Sequence, residues 1–81
     1  MVGANRLKPV PADCFLHGCG AVGAPGGQKR WRDRDRKRNY TWGSLHGEVE
    51  VFDERGRHLG AADPVTRETI KGAVKGRRID V

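Results

Sequence analysis

Apolar residues are sparse along this chain, and where they recur they recur mostly at every second position. The clearest case is residues 47–52, where Val49 and Val51 fall on one side and Glu48, Glu50 and Phe52 on the other. That alternation predicts a β-strand, because successive side chains of a strand point to opposite faces. Tyr40 and Trp42 alternate in the same way within residues 39–42, a second strand. Asp53-Glu54-Arg55-Gly56 has turn chemistry and should close a hairpin onto a strand over residues 57–61. Asp63-Pro64 marks a further turn, followed by a short strand over 69–71 and a last one over 78–81. Residues 11–17 are the one helical candidate, with Pro11 early and Gly18 as a stop.

These elements predict a mainly β (α+β) protein, a twisted antiparallel meander with a short N-terminal helical segment. The expected core is Phe15, Leu16, Trp31, Tyr40, Trp42, Leu45, Val49, Val51, Leu59, Ile70 and Ile79. Residues 21–27, rich in Gly, Pro and Ala, read as a flexible linker. At Lys29 the composition turns abruptly to charged and aromatic residues. The chain therefore divides into a lead-in, residues 1–28, and a working domain, residues 29–81. With 81 residues the core is small and the stability margin thin.

Charge narrows the field. Sixteen Lys and Arg against ten Asp and Glu give a net charge of +6, which favours a polyanionic partner such as nucleic acid or an acidic protein. No apolar run approaches a membrane-spanning length, and neither a basic amphipathic helix nor a signal-peptide core is present. Cys14 and Cys19 are five positions apart with His17 between them. A small disulfide loop and a pair of free thiols fit equally, while the spacing is no standard zinc signature. No metal or cofactor is expected.

Residues 29–38 hold seven basic side chains and two aspartates. One reading is a solvated, charge-alternating hairpin. The other is a phosphate-binding edge built from Lys29, Arg30, Arg32, Arg36, Lys37 and Arg38, extended by Lys71, Lys75 and Arg78. Trp31 and Trp42 are assigned to the core. On the 47–52 strand, period two places His46, Glu48 and Glu50 on one solvent-facing side, opposite the valines. One imidazole and two carboxylates in a basic protein suit RNA cleavage. That reaction needs a base for the 2′-hydroxyl, a cation at the phosphate and an acid for the leaving oxygen. Along a straight strand positions i and i+4 are roughly 13 Å apart, so direct contact of His46 with Glu50 requires a bend, and Gly47 permits one.

The run Tyr40-Thr41-Trp42-Gly43-Ser44-Leu45-His46-Gly47-Glu48-Val49-Glu50 resembles the active-site segment of the ribosome-inactivating ribonuclease domains of colicins and cloacin, Tyr-x-Trp-Asp-x-x-His-Gly-Glu-x-Glu-x-Tyr. Gly26-Gly27-Gln28-Lys29-Arg30-Trp31, His58-Leu59-Gly60, Asp63-Pro64-x-Thr66, Lys71-Gly72 and Arg77-Arg78-Ile79 follow the same family order. The resemblance implies a strongly twisted sheet and a single cut of small-subunit (16S) ribosomal RNA in the decoding site, without a metal. It also implies an acidic immunity protein as partner. The domain would belong to a longer toxin delivered from a producing bacterium and act in the target-cell cytoplasm. By position, His46, Glu50 and Arg77 match the catalytic residues. Glu50 would be the base, Arg77 the stabiliser of the phosphorane, His46 the acid or a tuner of Glu50, and Glu48 a support. Two positions depart from the pattern: Gly43 replaces the Asp that helps hold the His, and Phe52 replaces the last Tyr. Glu48 and Asp53 are the candidates to take over from that Asp. The competing expectations are a non-catalytic RNA- or ribosome-binding module of the same fold, and a ribonuclease acting on another RNA such as transfer RNA.

Overall fold

Each strand pairs with the next one in the sequence, so spatial order repeats chain order. The computed structural model describes residues 7–81; the first six residues of the lead-in lie outside it. Its strands are β1 (Gly20–Ala21), β2 (Arg30–Asp33), β3 (Arg38–Gly43), β4 (Glu48–Asp53), β5 (His58–Ala62) and β6 (Thr69–Gly72). They form one antiparallel sheet in the order β1-β2-β3-β4-β5-β6. The meander expected from the alternating pattern is thus present. The helical candidate is a single 3₁₀ turn, Phe15–Gly18, capped by the Cys14 sulfur, which accepts from the Leu16 amide at 3.5 Å.

Side-chain chemistry makes the turns. Asp53 Oδ1 accepts from the amides of Arg55 and Arg57, both at 2.9 Å, which bends β4 into β5. Gly56, at φ +85°, completes that turn and packs against the Ile79 carbonyl so closely that a Cβ would collide. Residues 21–27 also turn back on β2. The Val22 amide donates to the Arg30 carbonyl and the Arg30 amide to the Gly23 carbonyl, each at 2.9 Å. The predicted last strand over 78–81 is absent apart from one bridge between Arg57 and Arg78. The segment instead crosses the β4–β5 turn, where the Ile79 amide donates to the Gly56 carbonyl at 2.8 Å.

Register assigns the two faces. Tyr40 pairs with Val51 and Trp42 with Val49, while Thr41 pairs with Glu50 and Asn39 with Phe52. The Tyr40–Val49 face is closed by Cys14 and Leu16, with Val10, Phe15, Trp31, Trp42 and Val51 packed at the margin. Leu16 is fully buried there, so the segment before Lys29 fills the core of the sheet that follows it. Three expected core residues are exposed instead. Leu45 lies in the β3–β4 loop. Leu59 and Ile70 are the unpaired extra residues where the register shifts, opposite Val51/Phe52 and Ala61/Ala62. A bulge leaves its extra residue without a cross-strand partner, and both side chains point outward, Ile70 at 51% exposure.

Candidate active site

Glu50 sits mid-strand on β4, with Thr41 beside it on β3 and Ala61 on β5. Its Oε1 meets two basic groups, His58 Nε2 and Arg77 Nη1, each at 2.9 Å. His58 is the first residue of β5 and nearly closed off from solvent, its ring edge-on to Phe52 at 5.2 Å between centroids. Its other nitrogen, Nδ1, accepts the Val74 amide at 2.9 Å. An accepting ring nitrogen carries no proton, so the network assigns the hydrogen to Nε2, from which it is donated to Glu50. Arg77 arrives from the segment after β6, and its carbonyl also accepts the His58 amide at 3.0 Å. Its side chain is half exposed, so one end holds the carboxylate and the rest faces water.

Glu50 Oε2 has no hydrogen-bond partner among the described residues. It points toward Gly43, where an added Cβ would lie 3.6 Å from Oε2 and 3.0 Å from the Glu48 carbonyl. A side chain at position 43 would therefore touch the free oxygen of this carboxylate at ordinary contact distance and press on the Glu48 carbonyl. Glu48, two residues earlier on the same face, is buried and pairs with Lys71 Nζ at 3.0 Å.

The expected site residues are thus partly assembled. Glu50 and Arg77 are in contact, and Glu48 lies on their face, but both glutamates are buried where a solvent-facing side was expected. Long basic side chains from neighbouring segments neutralise them, which offsets their desolvation. His46 is not on that strand face. β4 begins at Glu48, Gly47 adopts φ +69°, and His46 stands exposed in the β3–β4 loop with no hydrogen bond among the described residues. Neither candidate to replace the missing Asp is free: Asp53 is committed to its turn and to Arg57, Glu48 to Lys71. His58 was not expected at the centre. Its signal in the sequence is the His58-Leu59-Gly60 segment, which stands out only through the resemblance.

The basic set divides by face. Arg30 and Arg32 register with Thr41 and Asn39, on the Glu50 side; Arg32 Nε donates to Asn39 Oδ1 at 3.1 Å and Arg30 to the Asp80 carbonyl. Arg36 pairs with Asp33 at 2.8 Å, and Arg38 donates to the Arg36 and Lys37 carbonyls. Lys29, Lys37, Lys75 and Arg78 are exposed. Lys71 is tied to Glu48 rather than free for phosphate. Cys14 and Cys19 are free thiols, both held above the usual thiol range by burial. Among the described residues no group of three or more His, Cys, Asp or Glu could hold a metal ion.

Fold and site together define a small basic protein of one antiparallel sheet, carrying a carboxylate, an imidazole and a guanidinium joined through a single oxygen. The chain belongs to the Cytotoxic family, the nuclease domains of the colicin E3 type, whose family model matches residues 12–80. It is 40% identical to colicin E3 of Escherichia coli over 79 residues, 95% of this chain and 13% of that protein. Cloacin of Escherichia coli is 40% identical over 58 residues, 70% of this chain and 10% of that protein. Colicin-E6 of the same organism is 36% identical over 58 residues, with the same coverage. The chain spans about a tenth of the length of these curated relatives.

Proposed function

We propose that the chain is the ribonuclease domain of a bacteriocin-like toxin, cutting small-subunit (16S) ribosomal RNA once in the decoding site and so halting translation. The observation that carries this reading is the asymmetry of Glu50. One oxygen is fixed by His58 and Arg77 while the other is unclaimed. A carboxylate held in that way has a defined basic atom for proton abstraction.

The reaction then runs through this chain's own groups. Glu50 Oε2 takes the proton of the 2′-hydroxyl, and the 2′-oxygen attacks the adjacent phosphorus. Arg77, whose guanidinium is half exposed beside Glu50, stabilises the negative charge of the phosphorane. His46 protonates the departing 5′-oxygen; its exposure in the β3–β4 loop, with no hydrogen bond among the described residues, fits an acid better than a tuner of Glu50. The bond to the 5′-oxygen breaks, leaving a 2′,3′-cyclic phosphate and a 5′-hydroxyl. His58 holds Glu50 in place, and Glu48 with Lys71 supports the same face. In the producing cell an acidic immunity protein would cover this basic surface. The domain would be part of a longer toxin that acts in the cytoplasm of the target cell.

Gly43 favours a second reading, a binding module of the same fold without catalysis, since the family pattern has Asp there. Incubation of the domain with intact bacterial ribosomes, followed by gel analysis of the extracted RNA, separates the two. A single small 3′ fragment, absent with His46→Ala and Glu50→Ala, supports the ribonuclease. Intact RNA with folded protein supports the binding module, and cuts confined to transfer RNA would redirect the target.

A further inference from the structure

A second recess lies at the far side of the sheet from Glu50. The Phe15–Gly18 turn, β1, the β2–β3 turn and Arg67 enclose a groove of about 530 Å³. Its lining includes Arg34, Arg36 and Arg67 against two aspartates, Asp33 and Asp35; Arg32 borders it too but turns its guanidinium to Asn39 on the Glu50 side. Asp33 pairs with Arg38 next to the Arg32–Asn39 pair, so it projects to the Tyr40 face while Glu50 projects to the other.

Arg67 is the unusual residue here. It has φ +70°, a conformation that L side chains rarely adopt. Its guanidinium lies 4.4 Å above the Phe15 ring and reaches Asp33 Oδ2 at 3.1 Å. The same Asp33 oxygen holds Arg36 at 2.8 Å. One carboxylate thus fixes two guanidinium planes at the groove and can neutralise only one of them. Arg67 also lies within reach of the Tyr40 hydroxyl, and a third of its side chain stays exposed at the groove. Observed backbone strain beside fixed, incompletely neutralised charge in a recess is the pattern of a ligand site.

We propose that this groove binds one nucleotide of single-stranded RNA, with Arg36 and Arg67 on its phosphate, as an anchor separate from the cutting site. The proposal rests on the ribonuclease reading for the class of its ligand. Phosphate suits the arrangement because the planar fork of an arginine binds two of its oxygens, and both forks are already oriented. The recess is a local hollow of about 530 Å³, whereas an acidic protein would need a broad face of roughly 800 Å² around it.

The test is a ¹H–¹⁵N NMR titration of the whole chain with a 2′-O-methyl tetraribonucleotide, which lacks the reacting hydroxyl. Amides of residues 18–22, 34–36 and 67 should shift. Arg67→Gly removes the side chain while suiting the positive φ, so the turn keeps its backbone, and an unchanged amide spectrum away from the groove checks the fold. It should weaken binding about ten-fold and lower the salt slope by about 0.7. Arg34→Ala, whose side chain makes no hydrogen bond among the described residues, should weaken it as well, and Glu50→Gln should leave the groove shifts intact. Unchanged affinity in Arg67→Gly, or shifts confined to the Glu50 face, would overturn the proposal. So would groove shifts that appear with an acidic protein and not with the oligonucleotide. Ribosomal RNA cutting is scored separately: its absence with groove binding intact rejects the active-site reading alone.

Discussion

The Val74 amide donates to Nδ1 of His58 at 2.9 Å, and that one contact decides where the imidazole proton resides. With Nδ1 accepting, the hydrogen sits on Nε2 and points at Glu50 Oε1, also 2.9 Å away. His58 is therefore suited to orienting the carboxylate, and the proton for the leaving group must come from elsewhere. Long-range ¹H–¹⁵N spectra at pH 8 should show the Nε2–H tautomer for His58. A ring protonated at Nδ1 would remove this assignment.

Glu50→Gln keeps an acceptor oxygen for His58 but has no basic atom. Cutting should fall by about 10²- to 10⁴-fold, the usual worth of a positioned general base. The melting temperature should change little. Quantifying the 3′ fragment over time checks the first, and a thermal scan of the same sample checks the second. Residual activity within two-fold of the parent would discard Glu50 as base.

Acid should loosen the turns. Asp63 accepts the amides of Val65 and Thr66 at 2.8 and 2.9 Å, and the Thr66 amide is the chief cause that holds its carboxyl below the ordinary 3.8. Asp33, held chiefly by Arg36, and Asp53, held chiefly by the Arg57 amide, are lowered as well. For a group whose folded value is depressed, the stabilisation is complete above the unfolded value and is lost as pH falls through the folded one. Melting temperature should hold from neutral pH to about pH 5 and drop below about pH 4. The gap between parent and Asp63→Ala should shrink over that same lower range; a gap that stays constant would count against the cause given.

Leu16 has no exposed surface and joins the N-terminal turn to Tyr40 and Val49. Leu16→Ala should cost about 2–5 kcal/mol, a large share of what a small domain has. Urea unfolding measures it. A loss under about 1 kcal/mol would mean that the turn contributes little to the core.

The sequence carried the strands well where side chains alternate and turns are built locally. Val49 and Val51 announced β4, and Asp53 to Gly56 announced its hairpin. It failed where the outcome depended on curvature. Leu59 and Ile70 are apolar and read as core, yet each is the extra residue of a bulge, and a bulge is fixed by the bend of the whole sheet. Glu48 and Glu50 read as solvent-facing because a carboxylate alone avoids burial. What buries them is the arrival of Lys71, from a strand whose pairing the pattern does not fix, and of Arg77, from a stretch with no hydrophobic pattern to locate it. His46 was placed on the strand because period two was counted through Gly47, whose positive φ ends the extended backbone there. Glu50 stands out in the strand alternation and Arg77 only through the resemblance, while their contact through Oε1 and the part of His58 require the folded chain.

The order of the strands also bears on how the molecule comes together. Since every strand pairs with its successor, the sheet can grow as a series of adjacent hairpins, each closing only a short loop. Among the distant contacts left to be made, Phe15 to the Pro64 carbonyl and Arg67 to Asp33 hold the N-terminal turn on the sheet. Those late closures seat Leu16 and should set the refolding rate, so lengthening the β2–β3 turn would leave refolding almost unchanged, whereas lengthening the connection between the Phe15–Gly18 turn and β2 would slow it.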